Sequence, residues 1–300
     1  MEKKLILKNR LSPGDVLMMT VAIRDLHKTY PGEYLTDVRS PCPEIFENNP
    51  YITPLDEKDP DVESLDMMYP IIHESGLKGC HFSQGHRKYL AEHIGKSIDH
   101  FSMRPEIYLN GNEQTWPSPV VVEHGYTDPY WIINAGVKSD YPLKYYHRYQ
   151  EVVDELKGKI QFVQVGHKSH NHPALDGVLD MRGKTNLRQL FRLSSDAEGS
   201  VNVVSLQMVI MAAMSKPCVV VAGAREGVRW QLYPDQQFIY VNGCLPCATW
   251  DGCWKSKEED CTNKIDGVPA CMTLIEPHDI VRSINRYYDG GRLTRRGAAQ

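Results

Sequence analysis

Apolar and polar positions fall along the chain in blocks that read as strands followed by helices. Leu5-Ile-Leu7 is a short apolar run. The turn Ser12-Pro-Gly-Asp15 separates it from a stretch, 15–30, whose apolar residues recur at helical spacing. This predicts strand, tight turn, helix. Residues 34–38 predict a second strand. Residues 43–50 predict a short helix closed by Asn48-Asn49-Pro50, because proline pushes the residue before it out of helical geometry. Residues 49–52 lead into a third short strand, 65–72 predict another, and 87–94 predict a helix. The second half alternates more regularly. Strands at 131–135, 160–165, 178–181, 200–204 and 217–222 interleave with helices at 143–156, 186–193 and 205–214, the last with Ser205 at its N-cap. Such alternation predicts a parallel sheet with both faces covered. Ile280, Val281, Ile284 and Tyr287 give 279–288 an amphipathic helical face, stopped by Gly290-Gly291, with 292–300 fraying beyond it.

Proline, glycine and polar residues accumulate over 117–130, so the domain boundary is placed there. The expected organisation is an N-terminal Rossmann-like domain, 1–125, a C-terminal Rossmann-like domain, 126–277, and a terminal helix and tail, 278–300. Two such α/β halves enclose a cleft, a favoured ligand site. The composition, 41% apolar and 24% charged over 300 residues, is that of a globular protein. A net charge of −4 gives no general attraction to nucleic acid, although it permits a local basic groove. No apolar run approaches the ~18 residues of a membrane span, and the first residues lack a secretion-signal core. The expected location is cytoplasmic.

Chemistry-bearing residues gather at the predicted strand ends. Gly14 and Asp15 follow the first strand, where ligands of open α/β sheets bind and where helix N–H groups favour a diphosphate. The ordinary alternative for Asp15 is helix capping. In the second half Asn134-Ala-Gly136-Val-Lys138, followed by Lys144, offers close backbone approach and mobile positive charge. Gly183-Lys184-Thr185 leads into another helix and resembles a phosphate-facing N-terminus. Gly223-Ala-Arg225-Glu226 ends a buried strand and predicts ligand contacts in the crevice. His81 and His86 are candidates for lining a substrate pocket.

Cysteine usage is uneven. Cys42, Cys80 and Cys218 are scattered, whereas Cys244, Cys247, Cys253, Cys261 and Cys271 crowd one polar stretch. In a reducing compartment this pattern points to a metal rather than to disulfides. Four thiolates suit zinc or a single iron and leave no open position, so the expected metal is structural.

Together these pieces resemble the heptosyltransferase-like glycosyltransferases of family 9, and among them the cysteine-rich branch related to autotransporter heptosyltransferases. The resemblance covers nearly the whole chain. It is carried by Ser12-Pro-Gly-Asp-Val-Leu-Met-Met-Thr, Asn48-Asn-Pro-Tyr, Tyr130-Trp-Ile-Ile-Asn-Ala-Gly with Lys138 and Lys144, and Phe162-Val-Gln-Val-Gly166. It continues through Arg182-Gly-Lys-Thr-Asn-Leu-Arg, Lys216-Pro-Cys-Val-Val-Val-Ala-Gly-Ala-Arg-Glu, Gly252-Cys-Trp-Lys-Ser and Ala270-Cys-Met-Thr-Leu-Ile.

The resemblance implies a GT-B fold and inverting transfer of a heptose-like sugar from a nucleoside diphosphate sugar, often ADP-heptose, to a hydroxyl of a protein or glycan. No catalytic metal is required by that scheme. It implies that Asp15 is the base and that Lys144 neutralises the leaving diphosphate. Asn134, Gly136, Lys138, Gly166, Lys184, Thr185, Ser205, Gly223, Arg225 and Glu226 then belong to the donor side, and His81 and His86 to the acceptor side. It assigns Cys247, Cys253, Cys261 and Cys271 as ligands of iron or zinc and leaves Cys244 spare. The family commonly carries Asp-x-Gly-x-x-His where this chain has Val204-Ser-Leu-Gln-Met-Val209, so two donor-holding groups are missing. Rival readings are a non-catalytic GT-B scaffold that binds a nucleotide sugar or a protein, and an enzyme whose acceptor is a hydroxylated nucleobase in DNA. Homo-oligomerisation is left open.

Overall fold

The computed structural model describes residues 2–68, 80–242, 245, 247–255 and 258–295. Strands β1 (Lys3–Lys8), β2 (Tyr34–Arg39) and β3 (Val62–Asp66) form a parallel sheet in the order β2-β1-β3. Helix α1 (Pro13–Thr29) follows β1, and α2 (Phe82–Ile94), α3 (Gly111–Thr115) and α4 (Pro119–His124) follow the sheet. The second sheet contains β4 (Trp131–Asn134), β5 (Phe162–Gln164), β6 (Leu179–Asp180), β7 (Gly199–Val203), β8 (Cys218–Gly223) and β9 (Gln236–Tyr240). All of its pairings are parallel, in the order β6-β5-β4-β7-β8-β9. Its helices are α5 (Tyr149–Glu155), α6 (Leu187–Asp196), α7 (Leu206–Ala213) and α8 (Val228–Gln231). A hairpin, β10 (Lys264–Ile265) and β11 (Val268–Pro269), then leads to α9 (Ala270–Thr273) and α10 (Pro277–Asp289).

The chain winds outward in both directions from β4 and β7. Between these two strands the order reverses, and such a reversal opens a crevice at the carboxyl ends. β7 and β8 are buried along their whole lengths, as the continuous apolar run Val219-Val-Val221 requires of a strand covered on both faces.

One apolar cluster joins the halves. It runs from Leu5, Val16 and Met19 through Leu90 to Met208, Ile210, Trp230 and Tyr233. Helix α1 lies directly on α7, and a Cβ on Gly14 would stand 3.6 Å from Leu206 Cα. Away from the crevice Arg188 ties the halves together. Its guanidinium donates to both Glu113 carboxylate oxygens at 2.6 Å, to Tyr108 O at 2.6 Å and to Glu44 O at 3.0 Å.

Several predicted elements are revised. Residues 43–46 form one 3-10 turn, and 49–52 contribute only the isolated bridge Thr36–Ile52. The helix expected over 143–156 breaks into a 3-10 turn, Pro142–Lys144, and α5, because Pro142 fixes a tight turn that the chain leaves at Tyr145 in extended geometry. The strand expected over 65–72 lies at 62–66, and 69–72 fall outside the described residues. β9 had no clear signal, since its sequence, Gln-Gln-Phe-Ile-Tyr, is polar at its start.

Candidate functional site

The site grows from the crevice at the reversal of strand order. Helix α1 begins at Pro13, two residues earlier than the apolar spacing suggests, so Asp15 is its third residue and not its cap. Ser12 occupies the N-cap without a side-chain capping bond. Asp15 keeps part of its surface open to solvent, yet its carboxyl lies deep among protein atoms. Burial pushes its pKa up to about 6, against the pull of Lys144 and Lys138 and with the push of the Glu226 carboxylate. Tyr233 also lies within the electrostatic range of Asp15.

Facing Asp15 is a cluster of cations on the second half. Lys144, at the end of the 3-10 turn, pairs with Glu226 and reaches Val204 O at 3.4 Å. The same Glu226 oxygen, Oε1, accepts from Arg225. The ring of Tyr141 gathers the charges: Arg225 lies 5.0 Å, Lys144 5.3 Å and Lys138 5.8 Å from its centroid. Each cation is attracted to the ring quadrupole, which offsets part of their mutual repulsion. Lys138 has a further carboxylate partner in Asp140 at 3.4 Å.

Three neighbouring strands end in polar atoms that the protein leaves unbonded. These are Asn134 Oδ1 at the end of β4, Ser205 Oγ just after β7, and Glu226 Oε2 beyond β8. Buried polar atoms are nearly always hydrogen-bonded, and these three oxygens are able to accept from hydroxyl groups of a ligand. Ser205 is the N-cap of α7, as expected, but its hydroxyl makes no capping bond and stays available.

Other predicted residues have different surroundings. A Cβ on Gly136 would stand 2.1 Å from His172 Nδ1, and one on Gly166 2.5 Å from the same ring. The two glycines therefore clasp His172, whose ring nitrogens find no protein partner and whose pKa burial lowers to about 4. Gly223, at φ +60°, backs onto Met272 and Cys271. Lys184 pairs with Glu123 at 2.6 Å and lies outside the cation cluster. Thr185 is half-buried beside it. The start of α6 is closed by its own capping box, with Asn186 and Gln189 exchanging bonds at 2.8 and 2.9 Å. The Asn186 and Gln189 N–H groups are thus engaged locally by the cap.

His81 and His86 are core residues, not open pocket walls. His81 caps α2 by accepting from Ser83 N and packs edge-on against Tyr233 at 4.6 Å. Burial lowers both histidines to about 3, so each is neutral; a bond to the Asp15 backbone opposes this at His86. Tyr141 and His172 escaped the sequence reading. The signal for His172 lay in its glycine partners; that for Tyr141 lay in its position midway between Lys138 and Lys144.

Cys247, Cys253, Cys261 and Cys271 line one cavity, together with Leu143, Arg225 and Lys255. Asn263 donates to Cys247 Sγ at 3.3 Å, and the Cys261 thiol donates to Asn263 O at 3.4 Å. Burial pushes the Cys271 thiol up to about 11, with Cys253, Cys261 and Cys247 all contributing. An all-sulfur donor set fits zinc or iron. As the side chains stand, no three His, Cys, Asp or Glu among the described residues are arranged to hold an ion. Cys244 lies outside the described residues. No helix among the described residues is long and apolar enough to cross a membrane.

No protein-family model matches the sequence, and no curated protein matches it. Solved structures do. The iron-containing dodecameric glycosyltransferase TibC from enterotoxigenic E. coli H10407 superimposes with a TM-score of 0.69 at 16% identity, covering 96% of this chain and 76% of that one. A family 9 glycosyl transferase from Veillonella parvula gives 0.68 at 14% identity, covering 97% and 99%. The ADP-heptose lipopolysaccharide heptosyltransferase II of E. coli gives 0.61 at 15% identity, covering 98% and 100%. Over nearly its full length the chain has the α/β fold of these GT-B glycosyltransferases.

Proposed function

We propose that the protein is an inverting glycosyltransferase of the family 9 type, moving a heptose-like sugar from a nucleoside diphosphate sugar to a hydroxyl of a protein or glycan. The observation that carries this reading is the opposition of Asp15 to the Lys144–Arg225–Lys138 cluster across the crevice. A carboxylate with a pKa near 6 is ionised at neutral pH and still basic enough to take a proton.

In the proposed step Asp15 accepts the acceptor hydroxyl proton as that oxygen attacks the anomeric carbon. The bond from that carbon to the diphosphate breaks on the opposite face, and its electron pair leaves with the diphosphate. Lys144, Lys138 and Arg225 meet the charge that develops there, commonly the larger contribution to rate. The base contributes ~10²–10⁴-fold. Asn134, Ser205 and Glu226 take hydrogen bonds from sugar or ribose hydroxyls. The four cysteines hold a structural iron or zinc when it binds, and TibC, described as iron-containing, supports that assignment.

A second reading, a binder without catalysis, draws support from α7. Leu206 and Val209 pack on Gly14 where the resembled family offers polar donor contacts. One experiment separates the two. Metal-replete protein is incubated with a panel of nucleoside diphosphate sugars, and thermal shift and nucleoside diphosphate release are recorded. A shift with release that Asp15→Ala abolishes supports the transferase. A shift without release, even with acceptors supplied, supports the binder.

A further inference from the structure

The cysteine stretch sits against the cation cluster, and its contact is made by backbone. Cys253 N donates to Ala224 O at 3.1 Å and Trp254 N to Arg225 O at 3.0 Å, so two successive backbone N–H groups clamp 253–254 onto 224–225. Arg225 Nε in turn donates to Lys255 O. The fit leaves no space for side chains between the two segments. A Cβ on Gly252 would stand 2.4 Å from Arg225 O and 2.6 Å from Gly227 N, and one on Gly227 would stand 2.5 Å from Trp250 O. Gly252 also adopts φ +81°, a conformation that favours glycine.

The outer segment is itself anchored in the first half. Trp254 holds the left-handed conformation, φ +55°, unusual for a bulky residue. Its ring packs 5.5 Å from Trp230 and 5.8 Å from Phe82, at the start of α2. The gripped turn carries Arg225 and Glu226, and the Glu226 carboxylate pairs with both Arg225 and Lys144.

We propose that segment 250–255 is a positioning element for the diphosphate site: it grips the 224–227 turn from outside and fixes Arg225 and Glu226 in register with Lys144. This rests on the reading of that cluster as the diphosphate site. Two variants loosen the grip in different ways. Gly252→Ala forces the segments apart, while Trp254→Gly suits the local backbone but removes the anchor on Phe82 and Trp230. Affinity for the tightest binder among ADP, GDP and UDP is measured by calorimetry, with Arg225→Gln as the partner of a double-mutant cycle.

The expected result is at least a tenfold loss of affinity in each loop variant, shrinking to under twofold when Arg225 is already replaced. General destabilisation would cost the same factor in both backgrounds. Wild-type affinity in the loop variants, or losses independent of Arg225, would overturn the proposal. Should Gly252→Ala not fold, Trp254→Gly decides alone. Wild-type protein that binds none of the three nucleotides would sink the diphosphate-site reading itself, and the positioning role with it.

Discussion

Lys144 and Arg225 share one oxygen of Glu226, and the other oxygen of that carboxylate is buried without a partner. Glu226 therefore holds two cations together and keeps an acceptor in reserve. In the proposed reaction a diphosphate entering the cluster would compete with Glu226 for Lys144. Lys144→Met should weaken nucleoside diphosphate binding by about ten- to a hundredfold, the range of one hydrogen bond to a charged group. Calorimetric titration measures this, and an unchanged Kd would remove Lys144 from the donor site.

The raised pKa of Asp15 makes two pH predictions. As a base it must be ionised, so release of nucleoside diphosphate should rise with pH through about 6 and then level off. Its effect on stability has the opposite sign. The folded state binds the Asp15 proton more tightly than the unfolded chain does, so the group favours the fold below about pH 4. That advantage is lost as pH rises to about 6. Asp15→Asn should therefore unfold at a higher temperature than wild type at pH 7.5, by up to ~3 kcal/mol for a two-unit shift, and show little difference at pH 4. The same variant should be inactive. Equal melting temperatures at both pH values would mean that the carboxyl is not desolvated.

The ring of Tyr141 should matter to the same site through its field. Tyr141→Leu keeps bulk but removes the attraction that gathers Arg225, Lys144 and Lys138. At ~0.5–1 kcal/mol per partly exposed cation contact, donor affinity should fall about two- to fivefold for each contact that donor binding draws on, with a steeper salt dependence as the lysines move outward. Titrations at low and high salt check both effects.

Residues whose positions follow from neighbours in sequence were legible, and those set by distant packing were not. Asp15 after β1 and Arg225-Glu226 after β8 could be placed because a buried parallel strand announces itself as an apolar run, and the crevice lies at its end. Lys144 was located but put on the wrong element, since a helical spacing of apolar residues cannot register the tight turn that Pro142 imposes. His81 and His86 read as pocket residues because burial leaves no local mark on a histidine; only the structure shows Tyr233 packed against the first. The helix start after Lys184 also carried a local signal that was in view: Asn186 and Gln189, three apart, cap that helix themselves. The joining of the halves by one core was not legible, because α1 and α7 both look like ordinary amphipathic or buried helices until Gly14 is seen to meet Leu206.

Arg188 tests how much that joint contributes. Its side chain and that of Glu113 are only 6% and 4% exposed, and the pair bridges the halves. Arg188→Met would leave the carboxylate buried without its cation, a change that costs about 3–5 kcal/mol. The guanidinium holds the Glu113 carboxyl below the usual carboxylate range. The pair therefore stabilises the fold above the unfolded carboxylate pKa, and that contribution disappears as pH falls through the lowered value. The gap in melting temperature between wild type and Arg188→Met should be widest near neutrality and narrow toward acid, where Glu113 protonates. Replacing both partners, as Arg188→Met with Glu113→Leu, should recover part of the loss by removing the stranded charge. A gap that stays constant with pH, or a double variant no better than the single one, would show that Arg188 acts through its bonds to Tyr108 and Glu44 and not through the ion pair.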